Sequence, residues 1–314
     1  MYCHIERNLQ ARDNAGIVAS RRRRHGLFPG PALRLAAVAA GLLSAAAPIR
    51  ASDVDTEHLF GFSEGADIGK RGERELESET ILRQGKAAGR YGAVNENLEA
   101  KQVVADGLRL NARATLSYLG ISSVPGLPDR GAAALQGAAF EARHVLIDRA
   151  RAPVGLTLIA ETRWARIDDI SGQAARSHGG LLTLALDREL IAGKLFGALN
   201  WFYDADATRF EATGLWVHQS KAGMAAALSR HVRGGFFLGG EVRYLRVYDG
   251  LGLNTYSGQA LFAGPTMYLQ LAPQWALSGG WNWQIRGHTT ASGGPLNLTH
   301  FERQQVKLRI NHNF

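Results

Sequence analysis

From about residue 73 onward, apolar and polar residues alternate, break at a turn, and alternate again. The stretch "LRLNARATLSYL" shows the pattern clearly. Leu108, Leu110, Ala112, Ala114, Leu116 and Tyr118 fall on one parity, and Arg109, Asn111, Arg113, Thr115 and Ser117 on the other. Period two sends these sets to opposite faces of a strand. The same reading predicts strands over Glu73–Gln84, Gly89–Val104, Leu108–Leu119, Gln136–Asp148, Val154–Ile167 and Gly179–Leu190. It continues over Lys194–Asp204, Trp216–Val232, Phe236–Tyr248, Gln259–Leu271, Trp275–Arg286 and Phe301–Phe314, twelve in all.

The connections sort into two kinds that take turns along the chain. "ADG", "RARAP", "IAG", "RGG" and "APQ" are short. Those between them, such as "GISSVPGLPDRGAAAL" and "GHTTASGGPLNLTH", are mostly long. Tight turns at one end and long loops at the other are the mark of a transmembrane barrel, whereas a soluble sandwich has no cause to segregate them. The strands also exceed the ordinary soluble length of about five or six residues and suffice for a tilted crossing of about 9–11. The expected fold is therefore all-β: a single antiparallel transmembrane β-barrel of about twelve strands, with short periplasmic turns and longer extracellular loops. Trp201, Trp216, Tyr244, Tyr248, Trp275 and other aromatics near strand ends suit the headgroup level, although ordinary packing would also hold them.

Charge changes the picture at the N-terminus. The 314 residues carry a net charge of +8, which invites a nucleic-acid reading. "RRRR" at 21–24 precedes an Ala/Leu-rich stretch ending in small residues, the order of regions in a secretory signal peptide. The alternative is a retained anchor helix. We expect residues 1–51 to be an N-terminal extension and cleaved signal, with cleavage near Ala51. They hold eight of the 36 basic and two of the 28 acidic residues, so the remainder has a net charge of +2, and nucleic acid is not an expected partner. The single cysteine, Cys3, leaves with them, so no disulfide supports the mature chain. Residues 52–72 are read as a periplasmic lead-in or partial plug, and 73–314 as the barrel.

Candidate chemistry lies on the polar parity. Glu141 and Arg143, Glu161 and Arg163, Glu241 and Arg243 recur two apart, so each pair shares a strand face. Their neighbours, such as Phe140, Trp164 and Tyr244, are apolar. The charged face must then be the lumen, because charges facing hydrocarbon cost a few kcal/mol each. Arg109, Arg113, Arg286, Arg303, Lys307 and Arg309 add basic lumen positions, against an acidic row at Glu73, Glu75, Glu77 and Glu79. One reading makes these a salt-bridged filling. The other makes them the lining and selectivity element of a water-filled pore. Asp168, Asp169, Asp204 and Asp206 at strand tops are read as solvated loop charges in preference to a Ca²⁺ site. His144 and His312 fall on the lipid-facing parity, and no catalytic or zinc motif is present, so neither enzyme chemistry, metal nor cofactor is expected.

The last strand ends on Phe314, preceded at alternate positions by Ile310, Leu308 and Val306. It resembles the C-terminal assembly signal of outer-membrane barrels, departing from it at His312. The segment "GKRGERELESETILRQGKAAGRYGAVNENLEAKQVVADGLRL" resembles the start of an uncharacterised family of proteobacterial outer-membrane barrels. The resemblance implies a Gram-negative outer membrane, contact with its lipid and lipopolysaccharide, and handling by the barrel assembly machinery. It leaves substrate and oligomeric state open. A porin-like channel or transport-related protein for small solutes is the expected function. The alternatives are a plugged barrel serving structure, adhesion or envelope integrity through its loops, and thirdly a lipid-modifying enzyme.

Overall fold

The computed structural model describes residues 54–314 apart from Ser292. The signal-peptide expectation for residues 1–51 lies outside the described residues.

Twelve strands follow one another: β1 Arg74–Gln84, β2 Arg90–Ala105, β3 Leu108–Ser122, β4 Arg130–Ile147, β5 Gly155–Ile167 and β6 Ala174–Ile191. They continue as β7 Leu195–Phe210, β8 Trp216–Arg233, β9 Phe236–Asp249, β10 Thr255–Ala272, β11 Trp275–Thr289 and β12 Gln304–Asn313. Each pairs antiparallel with its sequence neighbours, and β12 closes on β1 from Glu75 opposite Asn313 to Gln84 opposite Gln304. The result is a closed barrel with no free edge. Tight turns need backbone that most residues resist; Gly107 (φ 75°) and Gly193 (φ 63°) supply it between β2 and β3 and between β6 and β7.

Several strands outrun their sequence-based bounds. β4 begins at Arg130, six residues before the alternation does, and β7 runs on to Phe210. The extension of β4, "GAAAL", has no polar parity to read. The ladder is a backbone bond and persists above the membrane, where neither face must be apolar. The long loops are correspondingly shorter than expected.

The outward parity is a continuous apolar wall. Leu76, Leu98, Leu110, Leu116, Phe140, Leu182, Leu238, Ile285 and Leu308 stand about half exposed, which only lipid can satisfy. At the periplasmic rim, Trp275 stacks on His312 with ring centroids 4.4 Å apart, and His312 on Phe314 at 5.9 Å. His312 thereby continues the aromatic row it interrupts in sequence. Inside, an apolar cluster of Leu59, Phe60, Phe196, Phe237 and Tyr268 sits toward the periplasmic end. Tyr91, Leu119, Ile121 and Val124 form another toward the extracellular end. Ionic groups occupy much of the lumen between them.

Candidate functional site: the occupied lumen

Residues 54–68 do not lie beside the barrel. They enter its periplasmic half and are bonded there to side chains of most strands. Glu57 receives a two-pronged contact from Arg109 on β3 and lies 3.1 Å from Lys101 Nζ on β2. His58, fully buried, holds Asp55 through Nδ1 at 2.8 Å and meets Glu75 and Glu77 of β1 through Nε2 at 3.0 and 3.1 Å. Leu59 and Phe60 fill the apolar cluster against Phe196, Phe237 and Tyr268. The backbone amides of Phe62 and Ser63, and the Ser63 hydroxyl, donate to the Glu241 carboxylate on β9 at 2.9–3.0 Å. Glu64 lies 3.3 Å from Arg143 and 3.5 Å from Arg309, while its backbone is clasped by Asn200 of β7. Farther on, Ala66 donates its amide to Asp187 of β6, and Thr157 of β5 donates to the Ala66 carbonyl.

One glycine is dictated by this approach. A Cβ on Gly61 would fall 2.7 Å from a Glu241 oxygen and 3.2 Å from the Gly280 backbone. Only a residue without a side chain lets the segment lie this close to β9 and β11.

The wall answers with paired charges. Arg143 binds Glu141 at 2.6 Å, and Arg113 bridges Glu99 at 3.2 Å and Glu161 at 2.6 Å. Arg163 holds Glu161, Asp204 and Asp206. Across the closing seam, Lys307 and Arg309 of β12 meet Glu79 of β1 at 2.7 and 3.0 Å, and Arg309 also meets Glu77 at 3.2 Å. Arg243 lies over the Phe62 ring at 3.9 Å and donates to Gln305. Ten of the twelve residues that the sequence nominated for the lumen thus point into it.

Arg286 and Arg303 do not. A register shift places Gln284 opposite Phe262 but Arg286 opposite Leu261, so β11 carries one extra residue at Ile285. The bulge inverts the parity beyond it and turns Arg286 to the outer wall. Arg303 precedes β12, outside the alternation, and is exposed; Glu302 turns inward instead and pairs with Lys86 at 3.3 Å.

Residues 52–314 match the sequence model of DUF6662, a family of unknown function. The chain belongs to that family. Among solved structures, an outer membrane channel of Pseudomonas putida F1 superposes with a TM-score of 0.57 at 13% identity, covering 79% of this chain and 98% of that one. The β-domain of the Bordetella autotransporter BrkA gives 0.48 at 13% identity (78% and 100%), and the KdgM porin 0.43 at 8% (76% and 99%). No curated protein matches. The first of these likenesses fixes the fold as that of an outer-membrane barrel.

In this DUF6662 barrel the extracellular side is also narrowed. Asp169, in the connection after β5, reaches Arg83 at 2.7 Å and accepts from Gln136 at 3.2 Å, while Asp168 caps its own turn through Ser171. Asn297 folds back between β11 and β12 and is fully buried on Gln284 and His288. The acids weighed for Ca²⁺ therefore bind arginine or their own loop.

The electrostatics of the lumenal segment are those of a seated ion-pair cluster. Burial alone would raise the Glu57 carboxyl, but Arg109, Lys101, His58 and Arg143 outweigh it and hold it well below its ordinary value. Burial likewise opposes the shift of Glu64, which Arg143, Arg309 and Lys307 bring below its usual range. For His58, burial favours the neutral ring, yet Glu75, Glu57 and Asp55 outweigh it and raise the imidazole well above its ordinary value. Ligand atoms of His58, Glu75 and Glu77 lie near enough for a metal ion. The Lys101 ammonium, 2.9 Å from Glu75 and 2.7 Å from Glu77, already supplies the cation. Sequence reasoning missed His58. Its only signal was "DTEHLFGF", charges interleaved with large apolar residues in a stretch without strand period.

Proposed function

We propose that the protein is a gated outer-membrane channel for small solutes, closed by residues 54–68 acting as a plug. The observation that carries this is the way the segment is held. It occupies the lumen through ion pairs and hydrogen bonds to nine strands, contacts that water can replace as they break. A wall built only to be filled would use the cheaper apolar packing, since buried ion pairs gain little net stability. The outer-membrane channel that the fold resembles is in keeping with this reading, which rests on the lumen.

The test is planar-bilayer conductance of the refolded full-length mature chain against a variant lacking residues 55–68. The intact protein is expected to be closed most of the time, and the deletion to show frequent discrete steps. A folded deletion variant that stays silent would favour the second reading, a permanently filled barrel acting through its loops. The packing of Leu59 and Phe60 against Phe196 and Phe237 speaks for that alternative.

A further inference from the structure

The bulge that expels Arg286 from the lumen assembles something on the outer wall. Arg246 of β9 lies opposite Gln259 of β10, which lies opposite His288 of β11. One step toward the periplasm, Tyr244, Leu261 and Arg286 form the next row, and Tyr248 faces Tyr256 one step above. The inward side here is fixed by Gly287, where a Cβ would strike the Asn297 backbone nitrogen at 2.2 Å. Its neighbours Arg286 and His288 therefore face out, and both are exposed.

The arrangement is built rather than scattered. The Arg246 guanidinium lies 4.9 Å from the Tyr256 ring and 5.5 Å from that of Tyr248, and these two rings meet edge to face at 5.9 Å. Tyr244 donates its hydroxyl to Gln259 at 2.5 Å. Two strand spacings of about 4.8 Å separate the backbones of Arg246 and His288, so their heads can converge on one group. The outward positions of β9 and β11 hold no acid to neutralise them.

Height identifies the neighbour. From the Trp275 girdle at the periplasmic rim to Arg286 is eleven residues along β11. At about 3.3 Å per residue and a tilt near 40°, that is about 28 Å, against an apolar band of about 25 Å. Arg246, Arg286 and His288 therefore stand at the headgroup level of the outer leaflet. Trp281, Trp283 and Ile285 lie exposed on the apolar wall beneath them. Arginine beside tyrosine over an apolar slope suits a phosphorylated headgroup with acyl chains below it.

We infer that Arg246, Arg286 and His288 bind the phosphates of lipid A, the anchor of lipopolysaccharide in the outer leaflet. The inference depends on the outer-membrane fold and is independent of whether the lumen conducts.

Binding of detergent-solubilised, refolded protein to bisphosphorylated lipid A, to lipid A stripped of both phosphates, and to phosphatidylglycerol tests it by native mass spectrometry. The wild type should prefer the bisphosphorylated form by about tenfold over each of the others. The triple variant Arg246→Gln/Arg286→Gln/His288→Gln should lose that preference. A control, Arg151→Gln in the exposed periplasmic turn after β4, should retain it. A preference that survives in the triple variant, its absence from the wild type, or equal binding of phosphatidylglycerol would each overturn the proposal. Heat-modifiable gel migration checks that the variants are folded. Should the triple variant not fold, the wild type still decides the matter: the preference must fall at about 0.5 M salt, where exposed charges are screened, and one that persists sinks the site.

Discussion

At the scale of single residues, Glu241 anchors the lumenal segment most directly. It accepts from the Phe62 and Ser63 amides, the Ser63 hydroxyl and the Asn282 side chain, all inside the barrel. Glu241→Gln keeps the shape but removes the charge that strengthens each bond. We expect local opening of residues 59–64 to become easier by about 2–3 kcal/mol, read as faster amide hydrogen exchange confined to that stretch. Exchange unchanged there would show that the apolar contacts of Leu59 and Phe60 suffice. Period two made Glu241 legible as a lumen position. Its partners were not, because a segment that follows the cavity has no period of its own. Glu96 is a different case, since its parity is regular but outward. It faces lipid between Val94 and Leu98, and is tolerated because Ser78 and Thr80 on the next strand both donate to it at 2.5 Å.

At the scale of elements, bulges decide what alternation cannot. Strand existence, order and closure could be read from the chain, since twelve stretches repeat one pattern between turns. A single inserted residue leaves no trace in composition, yet reverses every side chain beyond it. Arg286→Cys should accordingly react with a bulky membrane-impermeant thiol reagent as readily in the full-length protein as in the variant lacking residues 55–68. Arg143→Cys should react only in the deletion. Equal protection of both cysteines would return Arg286 to the lumen.

The lumenal element also has a predictable pH window. Glu57 and Glu64 are depressed in the folded state. Their contribution is complete above the ordinary glutamate value of about 4.3 and is lost as pH falls through their lowered values. His58 is raised, so its contribution is complete below about 6.5 and is lost as pH rises toward and through its folded value. Open probability in a bilayer should therefore be lowest between about pH 4.5 and 6.5 and climb on either side. His58→Gln should abolish the alkaline limb alone. A flat profile would disconnect the cluster from gating.

At the scale of the whole molecule, the first and last strands meet. Arg74 and Phe314 exchange backbone hydrogen bonds at 3.3 and 2.9 Å, and the carboxylates of β1 face the cations of β12 across that join. Glu64 draws on Lys307 and Arg309 from the last strand, while His58 draws on Glu75 and Glu77 from the first. The join cannot form until the C-terminal strand has been made, and the lumenal segment is synthesised before any strand. We therefore expect the segment to be wrapped by a curling sheet rather than threaded through a finished ring. In that role it would gather both ends of an open sheet whose partners are more than 200 residues apart, a separation that makes closure slow on its own. Deleting residues 55–68 should slow the formation of heat-resistant barrel in detergent or liposomes several-fold while leaving strand content by circular dichroism intact. An unchanged rate would mean that the sheet closes first and the segment settles afterwards. Slower closure in the deletion, the outcome we expect, would make the segment that we propose as a plug also the mould on which the barrel is cast during biogenesis.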